Sequence, residues 1–263
     1  MKLSLELIKV LEIPDQLSEG KFVGPWKSPY KHCGPENKMT PLKSSISTLS
    51  NSAVYTLVSG SFLWSAVRLR KEVDTTPLLM AAEALFAWQQ DWRLFKRPRN
   101  FIGNIEFIEK QPRALASQLF LLDCIHQDYG FGNKKWTAGS MFSTAAEVIT
   151  LTRYNLPKDS VPAFDKWTKG MLLRLKKIAK IGNLAHKSHP NLGYGDTPAR
   201  RELAAKIMGL PLPPSVLDLS QPCDPKKFGA EWKTTLEALS WNKNPYLVKS
   251  KKTNKVRLSG PVK

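Results

Sequence analysis

The segment from Phe164 to Ile181 has the strongest periodic pattern in this chain, and it constrains the fold more than any other feature. Successive residues of an α-helix are rotated by about 100°, and at that spacing one face of the segment is largely apolar. This face contains Phe164, Thr168, Met171, Leu172, Leu175, Ile178 and Ala179. The pattern predicts an amphipathic helix that packs on a hydrophobic core. Hydrophobic residues make up 42% of the 263 residues, which is enough for such a core and excludes a wholly disordered chain.

Four other segments carry helix signals. Thr76 followed by Pro77 predicts a helix that runs to about residue 95, and Pro112 opens another. A further helix is predicted from about Ser140 to Tyr154, where Thr144 and Glu147 have the spacing of a capping box. The last runs over 198–208, with Thr197 as its N-cap and Gly209 after its end.

The N-terminal half also contains strand signals. Leu3, Leu5 and Leu7 alternate with polar residues, which is typical of a short strand. Residues 53–67 are interrupted by Ser59-Gly60, so we expect a β-hairpin there, with two short helices as the alternative. Ile102 to Ile108 indicates another strand. These patterns predict a helix-dominated α+β fold, in which a small antiparallel sheet from the N-terminal half packs with about five or six helices.

Positive charge is concentrated in the last two-fifths of the chain. The whole sequence has 40 Lys and Arg against 22 Asp and Glu, a formal net charge of +18. Residues 158–263 alone hold 21 of the basic residues and 8 of the acidic ones. We therefore expect a mixed α/β core region over residues 1–157 and a basic helical region over 158–263, which ends in a basic hairpin or arm. A charge excess of this size indicates a polyanionic partner, usually nucleic acid.

The expected phosphate contacts are basic side chains on the polar face of the 164–181 helix, in a glycine- and aromatic-rich loop, in the 198–208 helix and in the C-terminal tail. They are Lys134, Lys135, Lys166, Lys169, Arg174, Lys176, Lys177, Lys180, Arg200, Arg201, Lys249, Lys251, Lys252, Lys255 and Arg257. Within the 164–181 helix the lysines lack acidic residues one turn away, except around Asp165, so nothing local neutralises them. The alternative interpretation of this face is a solvated helix surface.

From these residues we expect a non-catalytic protein that binds the phosphate backbone of DNA or RNA. The charge is spread over several segments and no element suited to reading bases is evident. This favours a subunit of a larger nucleoprotein assembly, such as an RNA-guided surveillance complex or phage or mobile-element machinery, with other protein subunits as partners.

Two other functions stay open. Tyr30-Lys31-His32 offers a base and cations to a metal-independent endoribonuclease, with His32 as a weak catalytic candidate. The amphipathic 164–181 helix would alternatively place the protein peripherally on an anionic membrane.

No metal site, cofactor or integral membrane segment is predicted. The three cysteines, at positions 33, 124 and 223, have no paired spacing, so we expect a reducing, cytoplasmic setting. The longest apolar stretch, residues 78–88, contains Glu83 and is shorter than the roughly 20 residues that a membrane span needs.

Overall fold

A computed structural model gives the fold of this protein, and the residues it describes are 2–19, 39–91, 94–95, 105–128, 141–181, 202 and 205–248. The α-helices are α1 (Lys2–Val10), α2 (Pro41–Ile46), α3 (Asn51–Leu69), α4 (Thr76–Gln90), α5 (Ile105–Glu109), α6 (Arg113–Asp128), α7 (Met141–Asn155), α8 (Val161–Ile178) and α9 (Phe228–Ala238). Short 3-10 helices cover Asp15–Ser18, Lys158–Ser160, Pro214–Leu217 and Pro225–Lys227. Residues 205–208 are also helical.

The helix-dominated character is as predicted, but the small antiparallel sheet is wrong. The ranges given above contain no β-strand, and their β-type pairing is limited to isolated bridges between Leu49 and Lys180 and between Phe95 and Leu247. They also hold more helices than the five or six expected. Each predicted strand that falls in these ranges is helical instead, and in each case tertiary burial explains why.

The first predicted strand is helix α1. Leu3, Leu7 and Leu11 are buried, whereas Leu5 is 50% exposed. A four-residue spacing of buried side chains is the helical repeat, and it outweighs the alternation over residues 3–7. The start of α1 is held by α4, because the Ser4 amide donates to the Glu83 carboxylate at 3.3 Å and the Ser4 hydroxyl donates to the Leu79 carbonyl at 2.8 Å.

The predicted hairpin at residues 53–67 is part of α3, a continuous helix of 19 residues that are all buried. Ser50 caps its N-terminus by accepting a hydrogen bond from the Ala53 amide at 3.3 Å. Gly60 is not a turn residue. A Cβ atom at this position would lie 2.6 Å from Cη2 of Trp167, so the glycine allows α8 to approach α3 closely.

The third predicted strand overlaps α5. Residues 105–109 are helical and residues 102–104 lie outside the described ranges. Ile108 is fully buried, whereas Phe107 is 39% exposed, so this short helix contributes one anchor to the core.

Four of the five predicted helices are confirmed, with shifted ends. Of the helix predicted over 198–208, residues 202 and 205–208 are helical and the others lie outside the described ranges. Helix α4 begins at Thr76 and ends at Gln90, because Leu94 and Phe95 leave the helix to meet the chain at Leu247 and Val248. Helix α6 begins directly after Pro112, as expected, and α7 lies within a residue of its expected bounds. The capping box at Thr144 and Glu147 is wrong, because Thr144 lies inside α7 and not at its N-terminus. Gly209 has φ +70°, as expected for the glycine that follows a helix end.

Helix α3 is the centre of the molecule. Helices α4 and α7 pack along it, and α1, α6, α8 and the Pro214–Leu217 turn complete its surroundings. Small polar residues on α3 bond across these contacts: Ser65 shares a hydrogen bond of 2.9 Å with Thr152, and Ser59 donates to the Ala82 carbonyl at 3.3 Å. The core contains residues from both sides of position 157, so the helix that bears the lysines rests on residues of the first region.

Candidate functional site

Helix α8 is amphipathic, as the sequence predicts. Pro162 lies in its first turn, and the side chains of Phe164, Met171 and Leu175 are fully buried. The sequence pattern did not include Trp167, which is 6% exposed. This ring stacks on Phe164 with 5.7 Å between centroids and lies 6.2 Å from Trp64 of α3. Aromatic packing against α3 therefore determines which side of α8 faces solvent.

The polar side of α8 carries four lysines. Lys166, Lys169 and Lys177 are exposed and Lys176 is half-buried. At the helical repeat these four side chains fall within an arc of about 100°. No ion pair joins any of them to another residue in the part of the chain that the structure describes. We call these four residues together with Lys180 the lysine face.

Lys180 lies just beyond the helix, which ends at Ile178. Its backbone pairs with Leu49 in an antiparallel bridge. On either side, the Ala179 carbonyl accepts from the Ser50 amide at 2.9 Å and the Ile181 amide donates to Thr48 at 2.8 Å. The Lys180 side chain is exposed, and its backbone is fixed just beyond the end of the helix that carries the other four lysines.

The acidic residue closest in sequence to these lysines is already engaged. Asp165 accepts two hydrogen bonds from Arg153 of α7, at 2.8 and 3.0 Å. The hydrogen bond to Asp165 raises the pKa of the Arg153 guanidinium above its usual value. Asp165 therefore pairs with α7 and not with Lys169, one turn along its own helix.

Arg174, which was expected to contact phosphate, is engaged by the backbone of the protein itself. Its guanidinium donates to the carbonyls of Val216 at 3.0 Å, Leu219 at 3.3 Å and Gln221 at 2.7 Å, and also to that of Asp218. The Pro214–Leu217 turn ends here, where its last carbonyls have no partner within the turn. Arg174 thus fastens residues 216–221 to α8 with the N–H groups that a phosphate would otherwise use.

The other predicted contacts lie outside the described residues. These are Lys134, Lys135, Arg200, Arg201, Lys249, Lys251, Lys252, Lys255 and Arg257, together with the catalytic candidate His32. The expected pairing of residues 246–248 with the tail also extends beyond them. In the part that is described, the Val248 amide donates to the Leu94 carbonyl at 2.8 Å.

Sequence reasoning missed an open groove beside the lysine face. Its volume is about 310 Å³, and α2, α7 and α8 form its walls. Leu42, Ile149, Leu172 and Leu173 supply apolar surface, and Lys169 and Lys176 also line it. One signal was available: Leu173 is an apolar residue in the middle of the polar arc of α8, and it is 61% exposed.

Two further features of the described residues bear on chemistry. Among them, no helix combines the length and the apolar character needed to cross a bilayer. Nor do they contain a group of three or more His, Cys, Asp and Glu side chains that would hold a metal ion.

Comparisons with protein-family models, with curated proteins and with solved structures found no match to this chain.

Proposed function

We propose that the protein binds nucleic acid without catalysis, by placing the phosphate backbone along the lysine face. The observation that supports this proposal is a set of four lysines on one side of α8, with Lys180 just beyond its end, that have no carboxylate partner among the described residues. The carboxylate closest to them in sequence, that of Asp165, is held by Arg153. We further propose that it acts in the cytoplasm as a subunit of a larger nucleoprotein assembly, since basic residues are spread over several segments of 158–263.

Grouping like charges on one surface has an electrostatic cost. Like charges three or four residues apart on a helix repel each other by a few tenths of a kcal/mol per pair. A phosphate chain removes this repulsion and releases its own condensed counterions. Lys166 and Lys177 are separated by about 16 Å along the helix axis, the length of roughly five nucleotides of one duplex strand.

The experiment is a salt titration of oligonucleotide binding, followed by fluorescence anisotropy. The variant K169Q/K176Q/K180Q removes three lysines of the face and leaves its buried side unchanged. The log–log dependence of affinity on salt has a slope of about 0.9 for each phosphate neutralised on duplex DNA and about 0.7 on single strands. We expect the slope of the variant to fall by about 2 to 3 on the same scale.

A matched control removes the same charge elsewhere. Lys9, Lys71 and Lys110 are exposed and lie on or next to α1, α3 and α5. The variant K9Q/K71Q/K110Q should keep the wild-type slope. Equal slopes for the two triple variants would show that overall charge, and not the lysine face, attracts the ligand. An unchanged slope in K169Q/K176Q/K180Q would place the interface elsewhere.

The competing functions gain no specific support. The apolar side of α8 would have to enter a membrane interface, but Phe164, Trp167 and Met171 are buried against the core. The endoribonuclease alternative depends on His32, which lies outside the described residues.

A further inference from the structure

The groove beside the lysine face is lined by both apolar and charged side chains. Four leucine and isoleucine side chains supply its apolar surface. Its charged lining consists of Lys169 and Lys176, which belong to the lysine face, and of Asp165 and Arg153, which neutralise each other in an ion pair. Its volume of about 310 Å³ is near the lower end of the range of small-molecule sites, roughly 300 Å³. A ligand that fits must therefore present a compact apolar group together with negative charge.

Thr168 is a second, independent indication of a ligand. Thr168 lines the groove and is only 8% exposed, yet its hydroxyl has no hydrogen-bond partner within the described part of the chain. A buried hydroxyl without a partner is destabilising, so a ligand that hydrogen-bonds to it recovers free energy on binding. Ser45 of α2 contributes another hydroxyl to the same walls.

Leu173 supports the same interpretation. It is the most exposed large apolar side chain among the described residues, and it lies at the centre of the lysine face. Exposing this apolar side chain to water among the lysines is unfavourable, and a ligand that covers it would remove that cost. A molecule that carries flat apolar groups on an anionic chain would contact both Leu173 and the lysines around it.

We propose that the groove receives one unstacked base of a single-stranded nucleic acid, while the phosphates on either side of that base bind Lys169 and Lys176. This inference rests on the proposed function and specifies its ligand. Leu172 and Leu173 contact the faces of the base, and the Ser45 hydroxyl bonds to its edge. The Thr168 hydroxyl is buried in the wall, so it joins this edge only when the groove opens slightly around the base. A duplex cannot offer a base in this way without breaking pairs and stacks, so the protein prefers single strands.

The test compares three probes of equal length by fluorescence anisotropy: oligothymidylate, a mixed-sequence duplex, and a deoxyribose-phosphate chain without bases. The wild-type protein should bind oligothymidylate more tightly than either of the others. L173A should weaken binding of oligothymidylate about five- to tenfold, which is the low end of the effect of losing one base–aromatic stack, because leucine offers apolar contact without stacking. L173A should bind the base-free chain as the wild type does. T168V, which removes only the hydroxyl, should have a smaller effect in the same direction.

The matched control is L5A, because Leu5 is also a half-exposed leucine but lies on α1. L5A should behave as the wild type toward all three probes. The salt slope separates the two proposals: L173A should keep it, since the phosphate contacts are intact. Wild-type protein that binds oligothymidylate and the base-free chain equally well would refute the base site and leave phosphate binding standing. A wild-type protein that binds none of the probes would refute both.

Two other occupants would give different results. A second copy of the chain would appear as a dimer in sedimentation equilibrium that L173A dissociates. An acidic peptide would appear as a labelled oligoglutamate that competes with oligothymidylate and loses affinity in L173A. Either result would overturn the assignment of the groove to a base.

Discussion

Replacing Arg174 by methionine separates its structural role from a role in binding. Methionine keeps most of the apolar stem of the side chain and removes the guanidinium. In the wild type this group donates to the carbonyls of Val216, Asp218, Leu219 and Gln221. The perturbation is therefore the loss of four hydrogen bonds that join α8 to residues 216–221.

The expected loss follows from the environment of the four carbonyls. A hydrogen bond contributes about 0.5–1.5 kcal/mol net, and more when the acceptor would otherwise be buried and unpaired. Val216 is 1% exposed, whereas Gln221 is exposed and its carbonyl can bond to water instead. Counting the exposed bond at the low end, we expect R174M to lower the free energy of unfolding by about 2–4 kcal/mol. In a chain of this size that corresponds to a fall in Tm of roughly 5–10 °C.

The assay is urea unfolding and thermal unfolding followed by circular dichroism. R174K, which keeps the charge but cannot reach all four carbonyls, should fall between R174M and the wild type. As the reciprocal control, K166M changes an exposed cation on the same helix and should alter the free energy of unfolding by less than about 0.5 kcal/mol. K166M should instead reduce the salt slope by about 0.9 on duplex DNA.

The opposite pattern would refute the reasoning. If R174M unfolded at the wild-type urea midpoint and had a flatter salt slope, Arg174 would be a ligand contact and not a clamp.

Two further predictions concern stability. G60A places a methyl group 2.6 Å from Cη2 of Trp167, within contact of the indole ring, and should cost about 1–3 kcal/mol in urea unfolding. G229A, at a site with open space, should not, and equal behaviour of the two variants would contradict the close approach of α3 and α8. Asp74 accepts from the Thr76 amide at 2.9 Å. Its hydrogen bonds with Thr76 lower the pKa of the carboxyl below its usual 3.8 and outweigh the opposing effect of burial. D74A should therefore be less stable than the wild type by about 0.5–1 kcal/mol above pH 3.8, and the difference should shrink as the pH falls through the lowered pKa; a difference independent of pH would exclude the carboxylate as the cause.

Local sequence patterns were sufficient to predict a helix wherever the apolar repeat and the residues at the helix ends indicate the same element. Helix α8 has a continuous helical period and a proline in its first turn, and α6 and α7 have comparably clear boundaries. Helix α3 lacks such a period, because it is buried on every side and has no polar face to create one. Its β-branched residues and Ser59-Gly60 then resemble a hairpin, although contact with Trp167 is what requires the glycine.

The candidate site was predictable only in outline. The lysines of α8 and their lack of nearby carboxylates are visible in the sequence, since neighbours on a helix are three or four residues apart. The pairing of Arg153 with Asp165 spans 12 positions, and the bonds of Arg174 span 42 to 47. No helical repeat reaches those distances, so the sequence could not show that Asp165 and Arg174 are engaged within the fold.

The sequence by itself determined the amphipathic character of α8 and the charge of its outer side, because both depend on a repeat of a few residues. Tertiary structure alone decided which cations are engaged in hydrogen bonds and ion pairs, as Arg153 and Arg174 are. It also formed the groove next to the lysine face. Segments from α2, α7 and α8, more than 100 positions apart at the extremes, meet there because each has an apolar side that is most stable when buried with the others.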